Sequence, residues 1–405
     1  MREMKDSGII HVGDIPKHWE MRRLRFLCSI TTGNQDTQDA DIDGLYPFYV
    51  RSPIIERSLK HTFYGEGVLM AGDGAGAGRI FHHAFGKYAV HQRVYRFFNF
   101  SKIQGRYAYH FLNNLFYTEM DKGSSQTTVP SVRLPMIMNF CLSLPPLDEQ
   151  KGITKYLDCK CEEIDALTAD IQAQIETLEQ YKRSVITEAV TRGINNAAVL
   201  KDSKVFYIDM INFEWDVSKI GHICTKLSRT FEPIDTALIC SNKGKVLVRD
   251  ENLVGKMVSE DNAMQGIHIG DIAIHGMDTW HGAIALSEHK GKITRVVHVC
   301  DSSIDKRFVV YFLLNLAYRG VYKLISNGVR GNTSDFRSWE KVKSIAIPVP
   351  SSVREQNDIC NYLDNVCRDV ENITNAKKEQ LSTLENYKKS LVYEYVTGKK
   401  EVPAI

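Results

Sequence analysis

Two stretches of this chain nearly repeat one another: "TLEQYKRSVITEAVT" from Thr177 to Thr191, and "TLENYKKSLVYEYVT" from Thr383 to Thr397. The second begins 206 residues after the first in a chain of 405 residues. The repeat extends upstream at the same offset, because "EQKGITKYLD" from Glu149 is matched by "EQNDICNYLD" from Glu355. Prolines precede each copy, in "LSLPPLDEQ" and "AIPVPSSVREQ", and mark the end of a strand. The order is therefore large segment, helix, large segment, helix.

Both repeated stretches have the apolar spacing of a coiled-coil helix. Intervals of three and four alternate over about four heptads, and neither glycine nor proline interrupts the pattern. A helix with so narrow a stripe is not stable alone, so the two copies are expected to pair. Polar Gln174 and Gln380 interrupt the stripe at equivalent positions, as do Glu188 and Glu394, which can fix the register. The predicted pairing residues are Ile164, Leu167, Ile171, Gln174, Leu178, Tyr181, Val185, Val370, Ile373, Gln380, Leu384, Tyr387 and Leu391.

Spacing alone leaves the direction of this pairing open. Some 30 helical residues make a rod of about 45 Å, and antiparallel packing would send the large segments to opposite ends of it. A generic helical hairpin with no measuring role is the alternative interpretation.

The large segments are weakly similar to each other. "IPKHWEMRRLRFLC" and "INFEWDVSKIGHIC" align Trp19 with Trp215, and "GRYAYHFLNNL" and "KRFVVYFLLNL" share helical apolar spacing. Short alternating runs bounded by glycine predict strands between these landmarks. We therefore predict an α+β fold with two mostly-β domains and two long helices, built by tandem duplication. The predicted segments are residues 1–146, 147–198, 199–350 and 351–405.

Composition is that of a globular protein, with 43% apolar and 25% charged residues. No run of 18 apolar residues and no secretory h-region occurs in the sequence, so we expect neither a membrane span nor export. The nine cysteines are scattered, which favours reduced thiols in a cytoplasm over a zinc site. Net charge over the four segments is +4, −4, +3 and −1. The basic large segments are weak support for a polyanionic partner.

Motifs that would indicate catalysis are missing from the sequence. It contains no Walker A loop, no HExxH and no GxSxG. The glycines of "GDGAGAGR" (positions 72, 74, 76 and 78) do not follow the dinucleotide-binding GxGxxG spacing. The only Pro-Pro is followed by Leu147, so the Asp/Asn-Pro-Pro-aromatic motif of amino-methyltransferases is absent. The pattern favours a binding protein without metal or catalytic residues.

The doubled segments, and above all "LPPLDEQKGITKYLD", "LEQYKRSVITEAVTRG" and "GDIAIHGMDTWHGAIALSE", resemble the DNA specificity subunits of Type I restriction–modification systems. The resemblance covers essentially the whole chain. One departure is "SSVREQ", which has an extra residue and lacks the second proline.

The resemblance implies that each large segment is a target recognition domain reading one half of a bipartite, asymmetric DNA site. The helices would pair as an antiparallel coiled coil, set the spacing of the halves and dock two methyltransferase subunits. S-adenosylmethionine and ATP would be bound by the methyltransferase and restriction (motor) subunits, so this chain would be non-enzymatic and cytoplasmic.

The candidate DNA-binding residues lie in polar and glycine-rich loops. Glycines allow close approach of the backbone to a duplex, and arginine or glutamine can reach base edges or phosphates. In the first domain they are Gly74, Gly76, Gly78, Arg79, Gln92, Arg93, Lys122, Ser124, Ser125, Gln126 and Thr127. In the second they are Met277, Asp278, Thr279, Trp280, His281, Arg330 and Asn332. The alternatives are solvated loops in each case and, for the whole chain, a coiled-coil scaffold with two protein- or ligand-binding modules.

Overall fold

The computed structural model describes residues 2–123, 130–249, 263–326 and 336–403. The chain forms two compact units. Unit 1 comprises residues 1–171 and 378–405, and unit 2 comprises residues 172–377. Each unit thus contains one large segment and about half of each long helix. The four-segment division predicted from the sequence stays a prediction.

Unit 1 is built on two four-stranded sheets. Its strands are β1 (Met4–Asp6), β2 (Asp14–Pro16), β3 (Glu20–Arg23), β4 (Ser29–Thr32), β5 (Tyr46–Tyr49), β6 (Glu56–Ser58), β7 (Phe63–Tyr64), β8 (Gly67–Ala71), β9 (Phe81–Ala84), β10 (Lys87–Val90), β11 (Val94–Phe98) and β12 (Cys141–Leu144). Its helices are α1 (Gly105–Leu115), α2 (Tyr117–Gly123), α3 (Leu134–Asn139) and the first part of α4 (Leu147–Arg192). The sheet orders are β4-β11-β8-β9 and β6-β5-β10-β7, with the separate pairs β1-β2 and β12-β3.

Unit 2 repeats much of this plan. Its strands are β13 (Leu200–Asp202), β14 (Met210–Asn212), β15 (Asp216–Lys219), β16 (Cys224–Lys226), β17 (Leu238–Ser241), β18 (Lys245–Val248), β19 (Met264–Ile267), β20 (Ile272–His275), β21 (Ile284–Leu286), β22 (Gly291–Thr294), β23 (Val297–Ser302) and β24 (Ala346–Val349). Its helices are α5 (Ile220–Ile223), α6 (Lys306–Tyr318), α7 (Val321–Ile325), α8 (Trp339–Lys343) and the first part of α9 (Val353–Val396). The sheet β16-β23-β20-β21 and the pairs β13-β14 and β15-β24 correspond to β4-β11-β8-β9, β1-β2 and β3-β12. This correspondence confirms the predicted duplication.

The glutamate and glutamine that open each repeated helix attach that helix to its unit. Glu149 accepts a hydrogen bond from the indole of Trp19 at 3.1 Å, and Glu355 accepts one from Trp215 at 2.8 Å. Both tryptophans are fully buried, so each indole N–H needs such a partner. The alignment of Trp19 with Trp215 in the sequence therefore reflects one anchor used twice.

The glutamine of each repeat is buried and bonds the backbone residue that immediately precedes a recognition-domain helix, α1 in unit 1 and α6 in unit 2. The Gln150 side chain accepts from the Gln104 N–H at 2.8 Å and donates to the Pro145 carbonyl, also at 2.8 Å. Gln356 accepts from the Asp305 N–H at 3.0 Å, but its bond to the Pro350 carbonyl is longer, at 3.4 Å. The extra residue in "SSVREQ" accounts for this longer contact, because it moves the proline one position further from the glutamine.

The aspartate of each "YLD" triplet bonds a helix of its recognition domain, α1 in unit 1 and α6 in unit 2. Asp158 accepts from Arg106 at 2.8 Å and pairs with His110 at 2.7 Å. Asp364 accepts from Arg307 and from the Tyr311 hydroxyl, both at 2.7 Å. The preceding leucine of each triplet is fully buried. The repeated motif therefore serves mainly to attach each recognition domain to its helix.

The long helices run antiparallel within each unit. In unit 1, Asp165 of α4 bonds Lys388 of α9 at 2.6 Å, and the ring of Tyr156 lies 4.7 Å from that of Tyr395. In unit 2, Lys377 bonds Gln174, and Val185 and Cys367 pack against the same hydrophobic core. In both units, contacts with higher residue numbers on α4 involve lower residue numbers on α9. This confirms the antiparallel coiled coil that the resemblance implied.

The buried stripe of this pairing differs from the predicted one at alternate positions. Ile164, Val370 and Leu391 are buried, and Ile171, Leu178, Val185 and Leu384 are half-buried. The remaining predicted residues, Leu167, Gln174, Tyr181, Ile373, Gln380 and Tyr387, are exposed. Their places in the stripe are taken by residues one position further on, Thr168, Ile175, Lys182, Thr374, Leu381 and Lys388. Threonine and lysine are polar, yet a lysine stem can cover an apolar seam while its ammonium stays in water.

No helix in the described part of the chain combines the length and apolarity that crossing a membrane requires.

We predict that Asp364→Asn lowers the free energy of unfolding of unit 2 by about 1–2 kcal/mol, because Arg307 and Tyr311 lose a charged acceptor. Urea unfolding followed by tryptophan fluorescence would measure this change, since three of the four tryptophans lie in unit 2. Asp358→Asn on the same helix is the matched control. Its contact with Arg354, at 3.9 Å between exposed groups, is worth at most about 1 kcal/mol. Equal shifts for the two variants would contradict the anchoring role.

Candidate nucleic-acid interface

The glycine-rich loop of unit 1 connects β8 to β9 and needs its glycines for steric reasons. Gly74 and Gly78 have positive φ angles of 77° and 64°. Residues that carry a Cβ rarely adopt this backbone conformation. A Cβ on Gly76 would lie 2.3 Å from Ile80 Cδ1 and 3.1 Å from the Arg51 carbonyl oxygen. The glycines thus let the turn after β5 approach the loop closely. Whether they also approach DNA stays a prediction.

Asp73 in this loop holds two arginines from different parts of unit 1. Its two carboxylate oxygens accept from Arg51 at 2.8 Å and from Arg93 at 2.6 Å. Partial burial favours the neutral acid, but the hydrogen bonds from Arg93 and Arg51 outweigh it and hold the pKa of Asp73 below its ordinary value. The Arg93 side chain stays 60% exposed and that of Arg51 40% exposed, so both guanidinium groups are oriented yet accessible.

Gln92 extends the same surface. Its amide donates to Asp36 at 3.0 Å, and its backbone N–H donates to the Gln35 carbonyl at 2.7 Å. A backbone hydrogen bond from Thr37 holds the pKa of Asp36 below its ordinary value, assisted by His91. We call the residues Arg51–Ile55, Gly72–Gly78 and Gln92–Arg93 the reading surface of unit 1. Arginine and glutamine there have the donors that base edges and phosphates accept.

Arg79, the other arginine predicted for this site, lies elsewhere. It lines a cleft of ≈ 1060 Å³ between α1 and the last turns of α9, together with Arg106, Tyr109 and Lys388. The structure thus brings Gln92 and Arg93 together with the glycine loop but places Arg79 with the helices.

In unit 2 the predicted segment 277–281 follows β20, as the glycine loop follows β8. The Gly276 N–H bonds the Val296 carbonyl at 3.0 Å, as the Gly72 N–H bonds that of Arg93 at 2.9 Å. Thr279 is buried and so has a packing role, whereas His281 is exposed. The Lys323 ammonium lies 5.7 Å from the centre of the Trp280 ring. Asp278 pairs with buried His275 at 3.2 Å.

Two further arginines of unit 2 occupy this surface and were not predicted. Strand pairing matches Val297 with His275, as it matches Val94 with Ala71, so Arg295 takes the position of Gln92. Arg337 donates to the Met277 sulfur at 2.6 Å. Arg51 and Asp73 of unit 1 were missed as well. Aligning "HQRVY" with "TRVVH" would have indicated Arg295. Arg51 and Arg337 are distant in sequence from the loops that they contact, so only the folded structure shows these contacts.

Several predicted residues cannot be placed. Ser124, Ser125, Gln126, Thr127, Arg330, Asn332 and the side chain of Lys122 lie outside the described residues. In the part of the chain that is described, histidine, cysteine and acidic side chains form no group of three able to hold a metal ion.

Residues 16–177 match the family described as Type I restriction modification DNA specificity domain. This match identifies residues 16–177 as similar to a DNA specificity domain, the class of domain that reads DNA. The chain is 23% identical to the Type I restriction enzyme MjaVIII specificity subunit of Methanocaldococcus jannaschii, over 96% of this chain and 94% of that one. It is 22% identical to the Type I restriction enzyme EcoDI specificity subunit of Escherichia coli, over 95% and 89% of the respective chains.

A solved structure from work on complex assembly and conformational transition of the type I R-M system has the same fold, with a TM-score of 0.66. Its identity is 15%, over 95% of this chain and 99% of that one. Over most of its length the chain is thus similar to proteins named as specificity subunits of Type I restriction enzymes. These matches support sequence-specific DNA recognition in a restriction–modification system as its function.

We predict that Arg93→Gln weakens binding to a duplex carrying the recognised sequence by about tenfold or more, and reduces the salt dependence of binding by about one ion. Fluorescence anisotropy at several salt concentrations would measure both effects. Arg22→Gln is the control, because it removes the same charge from β3, where Arg22 bonds Glu20 at 2.9 Å. If Arg93→Gln binds like the unaltered chain, DNA contacts another surface of unit 1.

Proposed function

We propose that the chain reads a bipartite, asymmetric DNA site, one half per unit, and directs methyltransferase and restriction subunits to it. The observation that carries this proposal is the repeated attachment of two dissimilar domains by the same Glu, Gln and Asp contacts. Two recognition events require equivalent attachments that carry different loops. The half-sites differ because Gln92 and Arg93 of unit 1 correspond to Arg295 and Val296 of unit 2.

The long helices would set the number of unread base pairs between the half-sites. Both are continuous through the positions where they pass from one unit to the other. Two DNA-binding domains in one chain would raise each other's effective concentration on DNA.

The partners would be two methyltransferase subunits, each docked on the helices, together with restriction subunits. Leu167 and Tyr387 are exposed in unit 1, and Tyr181 and Ile373 are exposed in unit 2. The offset of 206 residues relates Leu167 to Ile373 and Tyr181 to Tyr387, so each unit presents the same kind of apolar pair. The equivalence favours two copies of one partner.

The chemistry would belong to those partners. S-adenosylmethionine would be bound by the methyltransferase and ATP by the restriction subunit, in the cytoplasm where the genome is modified. The chain itself would be non-catalytic. The alternative, a scaffold whose two modules bind proteins or small ligands, is disfavoured by the arginines that Asp73 orients toward solvent.

The test is the methylome of a host that carries the chain and its methyltransferase. We predict a two-part motif that disappears when the chain is deleted. Inserting seven residues into α4 after Ile171, and seven into α9 after Lys377, should lengthen the spacer by about three base pairs, since each insert adds about 10 Å of helix. Both half-sites should stay the same. Insertion into α4 alone is the control, because it breaks the pairing. A one-part motif, or a spacer unchanged by the double insertion, would refute the proposal.

A further prediction concerns the docking of methyltransferase subunits on the long helices. Leu167→Asp with Tyr387→Asp should remove one methyltransferase copy, and Tyr181→Asp with Ile373→Asp should remove the other, because each pair buries apolar surface against its partner. Native mass spectrometry would count the copies. Ile42→Asp and Ile234→Asp are the controls, since both isoleucines are exposed but lie outside the long helices. Loss of both copies in the controls, or of none in the paired variants, would contradict docking on the helices.

A further inference from the structure

An apolar turn lies on the reading surface of unit 1, directly after Arg51. It connects β5 to β6 and consists of Ser52, Pro53, Ile54 and Ile55. Ile54 is 72% exposed and Ile55 is 47% exposed. Two adjacent solvent-facing isoleucines thus lie beside the oriented arginines.

The turn is held firmly against the glycine loop. The Ser52 carbonyl pairs with His82 Nε2 at 3.0 Å, and the Ile54 N–H donates to the Ser52 hydroxyl at 3.1 Å. Arg51 bonds Asp73 through its side chain, and its carbonyl packs against Gly76. Pro53 fixes one further backbone angle. The two isoleucines are therefore presented in a defined position, so little conformational freedom remains to be lost on binding.

Exposure alone does not single out this turn. Ile42, Leu45 and Leu59 of the same unit are also exposed, and scattered apolar side chains are normal on a protein surface. Ile54 and Ile55 differ because they follow Arg51, which Asp73 joins to Arg93. Charge complementarity between these guanidinium groups and DNA would bring the turn against a groove.

The major groove offers such a turn one apolar group, the C5-methyl of thymine. We propose that Ile54 and Ile55 contact the methyl group of a thymine in the half-site that unit 1 reads. The two isoleucines are then specificity-determining residues beside the arginines. This inference rests on the proposed bipartite recognition and adds a base requirement to one half-site.

The test uses the full chain in complex with its methyltransferase, and duplexes carrying the mapped site. Each thymine of both half-sites is replaced in turn by deoxyuridine, which pairs identically but lacks the methyl group. We expect one thymine of one half-site to give about a fourfold loss of affinity in the unaltered chain, the value of one buried methyl group. The Ile54→Ser, Ile55→Ser double variant should bind the thymine and uracil duplexes equally at that position, with its melting temperature unchanged.

The matched control is Ile42→Ser with Leu45→Ser, which removes two exposed aliphatic side chains from the same unit and should keep the discrimination. Three results would overturn the inference. The mapped half-sites could contain no thymine, the unaltered chain could bind the thymine and uracil duplexes equally, or the double variant could keep the same preference for thymine over uracil. Failure of the proposed function looks different, because the complex would then bind the mapped duplex no better than an unrelated one.

Discussion

The fold depends on a small set of buried hydrogen bonds at the start of each repeated helix. A buried glutamine bonds the backbone of its unit in two places, and a glutamate bonds the indole of a buried tryptophan. Leaving any of these polar groups without a partner costs about 1–3 kcal/mol. The recognition domain and its helix are therefore joined as one folded unit, and the orientation of each domain follows from the helix that it is attached to.

The duplication preserves this attachment while its details diverge. Asp158 meets Arg106 and a histidine, whereas Asp364 meets Arg307 and a tyrosine. Burial lowers the pKa of His110 despite its bond to Asp158, so a neutral imidazole takes the place that the Tyr311 hydroxyl has in unit 2. Both groups donate one hydrogen bond to the aspartate, which explains how the two units keep the same geometry with different side chains.

The sequence was most informative where the two copies of the repeat could be compared with each other. The doubled "EQ" and "YLD" motifs and the aligned Trp19 and Trp215 predicted the architecture, because each pair occupies equivalent contacts. The buried stripe of the helices was harder to predict. Lys182 and Lys388 lie in it and Leu167 does not, since the position of a helix face is decided by its packing partners as well as by its own pattern.

The reading surface shows a different limit. Gln92 and Arg93 adjoin the glycine loop, as their sequence neighbourhood predicted, but Arg51 joins them only because Asp73 bonds both arginines. Such a cluster brings together loops that are 20 or more residues apart. Its members depend on how β5 of one sheet is placed relative to β8 and β11 of the other. No spacing rule within one segment specifies this arrangement.

The carboxylate of Asp73 has a kinetic consequence for a protein that must search a genome. It offsets part of the positive charge of Arg51 and Arg93, and it would itself be repelled by phosphates. Non-specific DNA is held mainly through such charge, so a partly neutralised surface dissociates from it sooner. In the proposed recognition, the arginines would reach their full binding energy only where base edges accept hydrogen bonds from them. The protein would therefore spend less time bound at unrelated sites and more time bound at the site that it recognises.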